Sequence, residues 1–124
     1  MQAIVLYAHG ARDPDWAAPC IAVRDLLREQ LPTVEVELAF LEYMPPTLPE
    51  VVGTLETRGV TALTLVPLFW GRGRHLKEDL PREIEALRVR HPRLELALTG
   101  AAGDASPVHA AIASWVASQL SEGR

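Results

Sequence analysis

The chain contains 124 residues, of which 48% are hydrophobic and 23% charged, and its formal net charge is −4. These values are typical of one soluble globular domain; they exclude intrinsic disorder and argue against general nucleic-acid binding, which usually requires a basic excess. No apolar stretch approaches the ~20 residues of a membrane-spanning helix, and no signal-peptide pattern is present. The single cysteine, Cys20, cannot form a disulfide within the chain, so we expect a cytoplasmic protein.

The first half of the chain predicts two strand-then-helix units. Residues 3–8 are continuously apolar, as expected for a strand that is covered on both faces. Asp13 and Pro14 then predict the start of a helix. A second strand is predicted at 34–40, and the sequence Thr47-Leu48-Pro49-Glu50 is a capping box that starts the second helix.

The second half repeats this order twice. Strands are predicted at 62–68 and 94–98; the first is followed by a helix capped by Asp79, whose inward-facing residues are Ile84, Leu87 and Val89. Ser106-Pro107 predicts the start of a final helix with one apolar face, formed by Val108, Ile112, Trp115, Val116 and Leu120. Strands that alternate with helices predict an α/β fold: a four-stranded parallel sheet with right-handed crossovers and helices on both faces. We expect a single domain over 1–124, with its core at about 3–120.

Three polar residues follow three of these strands. His9 follows the first strand, Glu42 the second and His75 the third. Because ligands bind beyond the carboxyl ends of parallel strands, these residues are expected to meet at one edge of the sheet. Two imidazoles and a carboxylate suit iron, cobalt, nickel or zinc better than calcium or magnesium. The alternative is that each histidine is only a hydrogen-bonded loop residue. We assign His91, at the end of a helix where a cation interacts favourably with the helix dipole, and His109 mainly to structure. His109 lies in the first turn of the last helix, where it can face either solvent or the site.

The loop around His75 is rich in cations and glycine. Arg72, Arg74 and Lys77 lie within six residues, and Gly71 and Gly73 allow the backbone to approach a ligand closely. On an acidic protein, this cluster predicts a binding site for an anionic small molecule. The alternative is a solvated surface loop.

Several segments together resemble the CbiX/SirB family of sirohydrochlorin chelatases over about residues 3 to 100. They are Ala8-His9-Gly10-Ala11-Arg12-Asp13, Phe40-Leu41-Glu42 followed by Pro46, Val66-Pro67-Leu68-Phe69, Gly73-x-His75 and Asp79-Leu80-Pro81. The resemblance implies a three-layer, chelatase-like (flavodoxin-like) domain of the short, single-domain form, which works as a homodimer. This chain departs from the family pattern at two positions. It has Ala11 where serine is usual in the family and Arg74 where glycine is frequent.

The resemblance also implies an activity, the insertion of divalent cobalt, iron or nickel into sirohydrochlorin, with no permanently bound cofactor. His9 and His75 would hold the metal or accept pyrrole protons, and Glu42 would relay protons or complete the coordination. The cations would bind the carboxylates of the tetrapyrrole. The implied substrate-binding residues are Arg12, Tyr43, Trp70, Arg72, Gly73, Arg74 and Lys77.

Three other functions are compatible with parts of the sequence. A non-enzymatic tetrapyrrole or metal carrier would need the same groups as the chelatase, and turnover is the property that separates them. A histidine phosphatase would need an arginine immediately before the histidine, where this chain has Ala8. A response-regulator receiver would need an aspartate at the end of the third strand, which here reads Val66-Pro67-Leu68.

Overall fold

Four strands form one parallel sheet. The structure, a computed structural model, describes residues 1–71 and 73–122, except for the side chains of residues 75, 121 and 122. The strands are β1 (Gln2–Ala8), β2 (Glu35–Phe40), β3 (Ala62–Pro67) and β4 (Glu95–Leu98), in the order β2-β1-β3-β4. The predicted α/β class and parallel sheet are confirmed. Because β1 lies between β2 and β3, the loops that follow these three strands are neighbours at the carboxyl edge of the sheet.

Four α-helices follow the strands in turn. They are α1 (Ala18–Gln30), α2 (Leu48–Thr57), α3 (Leu80–Arg90) and α4 (Ser106–Glu122). Short helical turns at Pro14–Ala17 and Ala102–Asp104 precede α1 and α4. The Asp13 side chain accepts a hydrogen bond from the backbone N–H of Asp15, and Thr47 accepts one from the N–H of Glu50. The two predicted caps in the first half of the chain are therefore present.

The third helix differs from its prediction in two ways. A π-helical turn, His75–Asp79, leads directly into α3, so Asp79 already has helical backbone angles and its side chain makes no capping hydrogen bond. The Asp-Leu-Pro pattern marks instead the change from π to α geometry, where Pro81, which has no N–H, is tolerated. Val89 is 79% exposed, so the prediction that it faces inward is wrong.

The sheet has a hydrophobic cluster on each face. On one face, α2 and α3 cover side chains such as Val5 and Leu65, and on the other face α1 covers Leu6 and Leu38. Strand β1 is thus buried on both sides, as its continuous apolar sequence predicts. Cys20 packs against the α1-side cluster, and burial raises the pKa of its thiol, in agreement with a packing role.

Helix α4 has the predicted apolar stripe, but its own sheet does not cover that stripe. Ile112 is 39% exposed, Trp115 62%, Val116 54% and Leu120 65%. The buried residues of the described chain run from Ala3 to Ala101, so the core is complete before α4 begins. None of the described helices combines the length and apolar character that crossing a membrane requires.

Candidate functional site at the carboxyl edge of the sheet

The loops after β1 and β2 are joined by backbone hydrogen bonds. The N–H of Leu41 donates to the carbonyl of Ala8 (2.9 Å), and the N–H of Glu42 donates to the carbonyl of His9 (3.0 Å). Pairing thus continues past the ends of the two strands, and the side chains of His9 and Glu42 are both exposed there. The structure brings these two predicted site residues together at one position of the rim.

Gly10 allows this close approach. Its φ is +86°, a left-handed conformation that favours glycine, and a Cβ atom at this position would overlap the carbonyl oxygen of Glu42. Tyr43, directly after Glu42, also has a positive φ of 70°. The guanidinium of Arg12 lies 5.1 Å from the centre of the Tyr43 ring, within range of a cation–π interaction. Two predicted substrate-binding residues therefore contact each other beside His9.

The imidazole of His9 rests on a buried aromatic ring. The ring centres of His9 and Phe69 are 4.4 Å apart with an interplanar angle of 40°, and Phe69 is only 2% exposed. Phe69 also contacts Tyr7, at 5.8 Å between ring centres. The N–H of Leu68 donates to the carbonyl of Tyr7 (2.7 Å) and so holds the start of the third loop against β1. The structure thus places Phe69 in the core, beneath His9.

The third loop presents most of the predicted cationic surface. Arg74 and Lys77 are exposed, and the Arg74 side chain lies 3.9 Å from the Glu78 carboxylate, with both groups mostly in solvent. Such an exposed pair contributes little to stability. Trp70 is 67% exposed at the start of this loop. Arg72 lies outside the described residues, so its predicted role stays a prediction.

Two further predictions concern the same loop. The backbone of His75 opens the π-helical turn, but its side chain lies outside the description, so its convergence with His9 stays a prediction. The described residues contain no group of three or more His, Cys, Asp or Glu side chains that could hold a metal ion. A Cβ atom at Gly71 or Gly73 would meet no atom of the described residues within 4 Å. Contacts within the described chain therefore do not require glycine at these positions.

Sequence reasoning missed a polar contact beneath the site. The hydroxyl of Tyr7 donates to the carboxylate of Glu83 on α3, at 3.1 and 3.2 Å. Burial raises the pKa of Tyr7, and the negative charge of Glu83 raises it further. The available signal was a tyrosine within an otherwise apolar buried strand, since a buried hydroxyl needs a hydrogen-bond partner.

A second missed feature joins the loops after β3 and β4. The N–H of Gly103 donates to the carbonyl of Phe69 (3.0 Å), and a Cβ atom on Gly103 would overlap the backbone of Trp70. The Nε2 atom of His109 lies 2.6 Å from the carbonyl oxygen of Gly103, and its ring centre is 6.4 Å from that of Trp70. His109 thus ties the first turn of α4 to the third loop, in keeping with its structural assignment.

His91 has the structural role that the sequence suggested. It lies at the end of α3, and its Nδ1 atom is 2.8 Å from the Glu56 carboxylate on α2. This contact joins the two helices on one face of the sheet, at the amino edge opposite the site.

The fold and the residues at its carboxyl edge together define the class to which this protein belongs. It is a parallel α/β domain whose carboxyl edge presents an imidazole, a carboxylate and several cations on three adjacent loops. Such an edge is suited to proton transfer or metal ligation beside an anionic ligand.

Known proteins of this class match the chain. The CbiX family model matches residues 3–121. The sirohydrochlorin cobaltochelatase of Sulfurisphaera tokodaii is 31% identical over 88 residues, which are 71% of this chain and 72% of that protein. The chain belongs to the CbiX family, as predicted from its sequence motifs.

Solved structures agree with this assignment. The CbiX protein of Marinobacter aquaeolei VT8 is 31% identical, with a TM-score of 0.80, and the match covers 98% of this chain and 99% of that one. The sirohydrochlorin chelatase SirB of Bacillus subtilis subspecies spizizenii, in complex with cobalt, is 26% identical, with a TM-score of 0.72. That match covers 81% of this chain but only 43% of the SirB chain. The chelatase-like fold is thereby confirmed.

Proposed function

We propose that this chain is a metal chelatase that inserts a divalent metal ion into sirohydrochlorin. The observation that carries the proposal is the placement of His9 beside Glu42 at the carboxyl edge of the sheet, in a chain of the CbiX family. The name of the Sulfurisphaera relative and the cobalt held by SirB support cobalt as the substrate metal. Iron and nickel are proposed because the same nitrogen and oxygen ligands suit them.

The site residues fit the steps of metal insertion. The tetrapyrrole must lose two pyrrole N–H protons, and the metal must exchange its ligands for ring nitrogens. A neutral imidazole at His9 or His75 can hold the metal or accept a proton, and Glu42 can relay the proton to solvent. A few ligands on exposed loops suit a metal that must leave again, whereas a closed four-ligand cage would retain it. The contact with buried Phe69 keeps the His9 ring in place during this exchange.

The cations supply recognition of the substrate. Sirohydrochlorin carries many carboxylates, for which guanidinium and ammonium groups are charge-assisted partners. Tyr43 and Trp70 are 59% and 67% exposed and offer aromatic surface to the macrocycle. We propose that one set of residues on these loops binds the substrate: Arg12, Tyr43, Trp70, Arg72, Gly73, Arg74 and Lys77. The role of Arg72 is proposed from the sequence alone.

A homodimer would complete the binding cleft. SirB is more than twice the length of the region that matches this chain, so one copy of the domain provides about half of that larger protein. We propose that the whole chain acts as one domain and that a second copy supplies the opposite wall, with two sets of His9 and His75 around one cavity. The expected setting is the cytoplasm, in cobalamin or siroheme biosynthesis.

An anaerobic insertion assay tests the activity directly. Purified protein is mixed with sirohydrochlorin and each metal in turn, and the absorbance change gives the rate. His9→Ala and His75→Ala should each reduce the rate at least ~100-fold, because general acid–base groups contribute at least this much. His91→Ala is the matched control, since its side chain lies at the opposite edge of the sheet. Near-normal turnover in the double variant His9→Ala, His75→Ala would refute the site, and stoichiometric binding without turnover would identify a carrier.

Charge reversal tests substrate recognition separately. Arg72→Glu with Lys77→Glu should raise the apparent KM strongly and weaken its salt dependence, with a smaller effect on metal binding. Arg90→Glu with Arg93→Glu introduces the same charge change at the remote edge and should leave KM unchanged. An unchanged KM in the first variant would mean that the cationic loop is only a solvated surface.

A further inference from the structure

One polar contact beneath the site has no part in the proposed mechanism. Within the part of the chain that the structure describes, Tyr7 is the only buried residue whose side chain carries a polar group. Its hydroxyl donates to the carboxylate of Glu83 on α3, at 3.1 and 3.2 Å to the two oxygens, across 76 residues of sequence. A phenylalanine ring would fill the same space, so packing alone does not account for the hydroxyl. A hydrogen bond to an ionised carboxylate is about twice as strong as one between neutral groups.

The two partners lie in the elements that carry the two histidines of the proposed site. Tyr7 is near the end of β1, two residues before His9. Glu83 lies in α3, which continues the π-helical turn that begins at His75, so these two residues are eight positions apart on one helical run. A run of that length spans at most about 12 Å. The bond between Tyr7 and Glu83 therefore joins the two elements close to both histidines.

The Tyr7 ring also reaches His9 through one aromatic neighbour. The ring centres of Tyr7 and Phe69 are 5.8 Å apart, and those of Phe69 and His9 are 4.4 Å apart. Tyr7 and Phe69 belong to the hydrophobic cluster between the sheet and helices α2 and α3, where close packing leaves little room for a ring to turn. A shift of the Tyr7 ring would therefore be passed to Phe69 and to the imidazole above it.

We propose that Tyr7 and Glu83 are positioning residues for the metal-insertion site: their hydrogen bond sets the place of the His9 ring relative to the helical run that begins at His75. Tyr7 is only 1% exposed and so acts through Phe69 rather than on the substrate. Displacing a reacting group by about 1 Å can cost a factor of about 100 in rate, so a smaller shift should cost about 10-fold. The effect on the rate rests on the proposed chelatase function, whereas the effect on the His9 ring does not.

Steady-state kinetics of metal insertion test the effect on the rate. Tyr7→Phe removes only the hydroxyl and should lower kcat about 10-fold, while the KM for sirohydrochlorin stays within about 2-fold because the cationic loop is unchanged. Glu83→Gln keeps an acceptor oxygen and should retain most of the rate, whereas Glu83→Ala should lose as much as Tyr7→Phe.

Two comparisons separate positioning from a general loss of stability. Tyr7→Phe should have no further effect in a Glu83→Ala background, since the two changes remove one bond. Glu85→Ala, on the exposed side of α3, is the matched control and should leave kcat unchanged. An undiminished kcat in Tyr7→Phe, or the same loss from Tyr7→Phe in both backgrounds, would overturn the proposal.

The His9 ring itself gives a readout by NMR that needs neither metal nor tetrapyrrole. The imidazole signals of His9, assigned by their loss in His9→Ala, are displaced in the folded protein by the ring current of Phe69. At one fixed pH this displacement should shrink in Tyr7→Phe and in Glu83→Ala but not in Glu85→Ala. Unchanged His9 signals in Tyr7→Phe would overturn the proposal, whatever the rates. If the wild-type chain inserts no metal while Tyr7→Phe still moves the His9 signals, the chelatase function fails and the positioning of His9 stands.

Discussion

Gly10→Ala tests whether the close approach of the first two loops supports both folding and activity. The left-handed φ of Gly10 costs a non-glycine residue about 1–2 kcal/mol. The new methyl group would also overlap the carbonyl oxygen of Glu42, so the second loop must move. That movement weakens the hydrogen bond from the N–H of Glu42 to the carbonyl of His9, which contributes about 0.5–1.5 kcal/mol. We therefore expect a total loss of about 1.5–3.5 kcal/mol in the free energy of unfolding.

Gly59→Ala is the matched control for this change. Gly59 also has a positive φ, of 99°, but a Cβ atom there would meet nothing within 4 Å. This variant should therefore lose only the backbone term of about 1–2 kcal/mol and keep its insertion rate. Urea unfolding gives the two free energies, and the anaerobic insertion assay gives the two rates. If Gly10→Ala is no less stable than Gly59→Ala and inserts metal at the wild-type rate, the inferred coupling of the two loops is wrong.

Three further predictions concern contacts away from the proposed metal site. Because the pKa of Tyr7 is raised in the folded protein, the unfolded phenol loses its proton first, and the free energy of unfolding should fall as the pH rises above about 10. Tyr7→Phe should make this alkaline decline shallower in pH-dependent urea unfolding; an unchanged slope would count against the raised pKa of Tyr7. His91→Ala removes the contact with Glu56 and should cost about 1 kcal/mol by the same measurement while leaving insertion unaffected. Thr47→Ala removes the cap of α2 and should cost about 1 kcal/mol, whereas Thr47→Ser should restore most of that stability.

The sequence predicted those features that depend on local chemistry. The continuous apolar character of β1 predicts burial on both faces, and the Thr47 capping box starts α2 where the structure has it. The position of His9 beside Glu42 followed from a single rule, since the carboxyl ends of neighbouring parallel strands share one edge. These predictions required no knowledge of which side chains meet.

The remaining features depend on contacts between distant segments. Phe69 supports His9 because β1 and β3 are adjacent, and periodicity cannot show which ring lies beneath which loop. The Asp79 pattern has the residues of a helix cap, but the turn before it is already wound as a π-helix. For α4, an apolar stripe predicts that something covers it, but the stripe does not identify the covering surface.

The junction at Gly103 links the third loop to α4. Phe69 carries the His9 ring on one side and accepts the Gly103 hydrogen bond through its backbone carbonyl, and Gly103 is joined through His109 to the first turn of α4. A ligand that shifts the third loop must therefore also shift the base from which α4 projects. Thermodynamic reciprocity then requires that contacts made by α4 change the affinity for that ligand by the same factor by which the ligand changes those contacts. Substitutions along α4 would accordingly alter the affinity for the proposed tetrapyrrole.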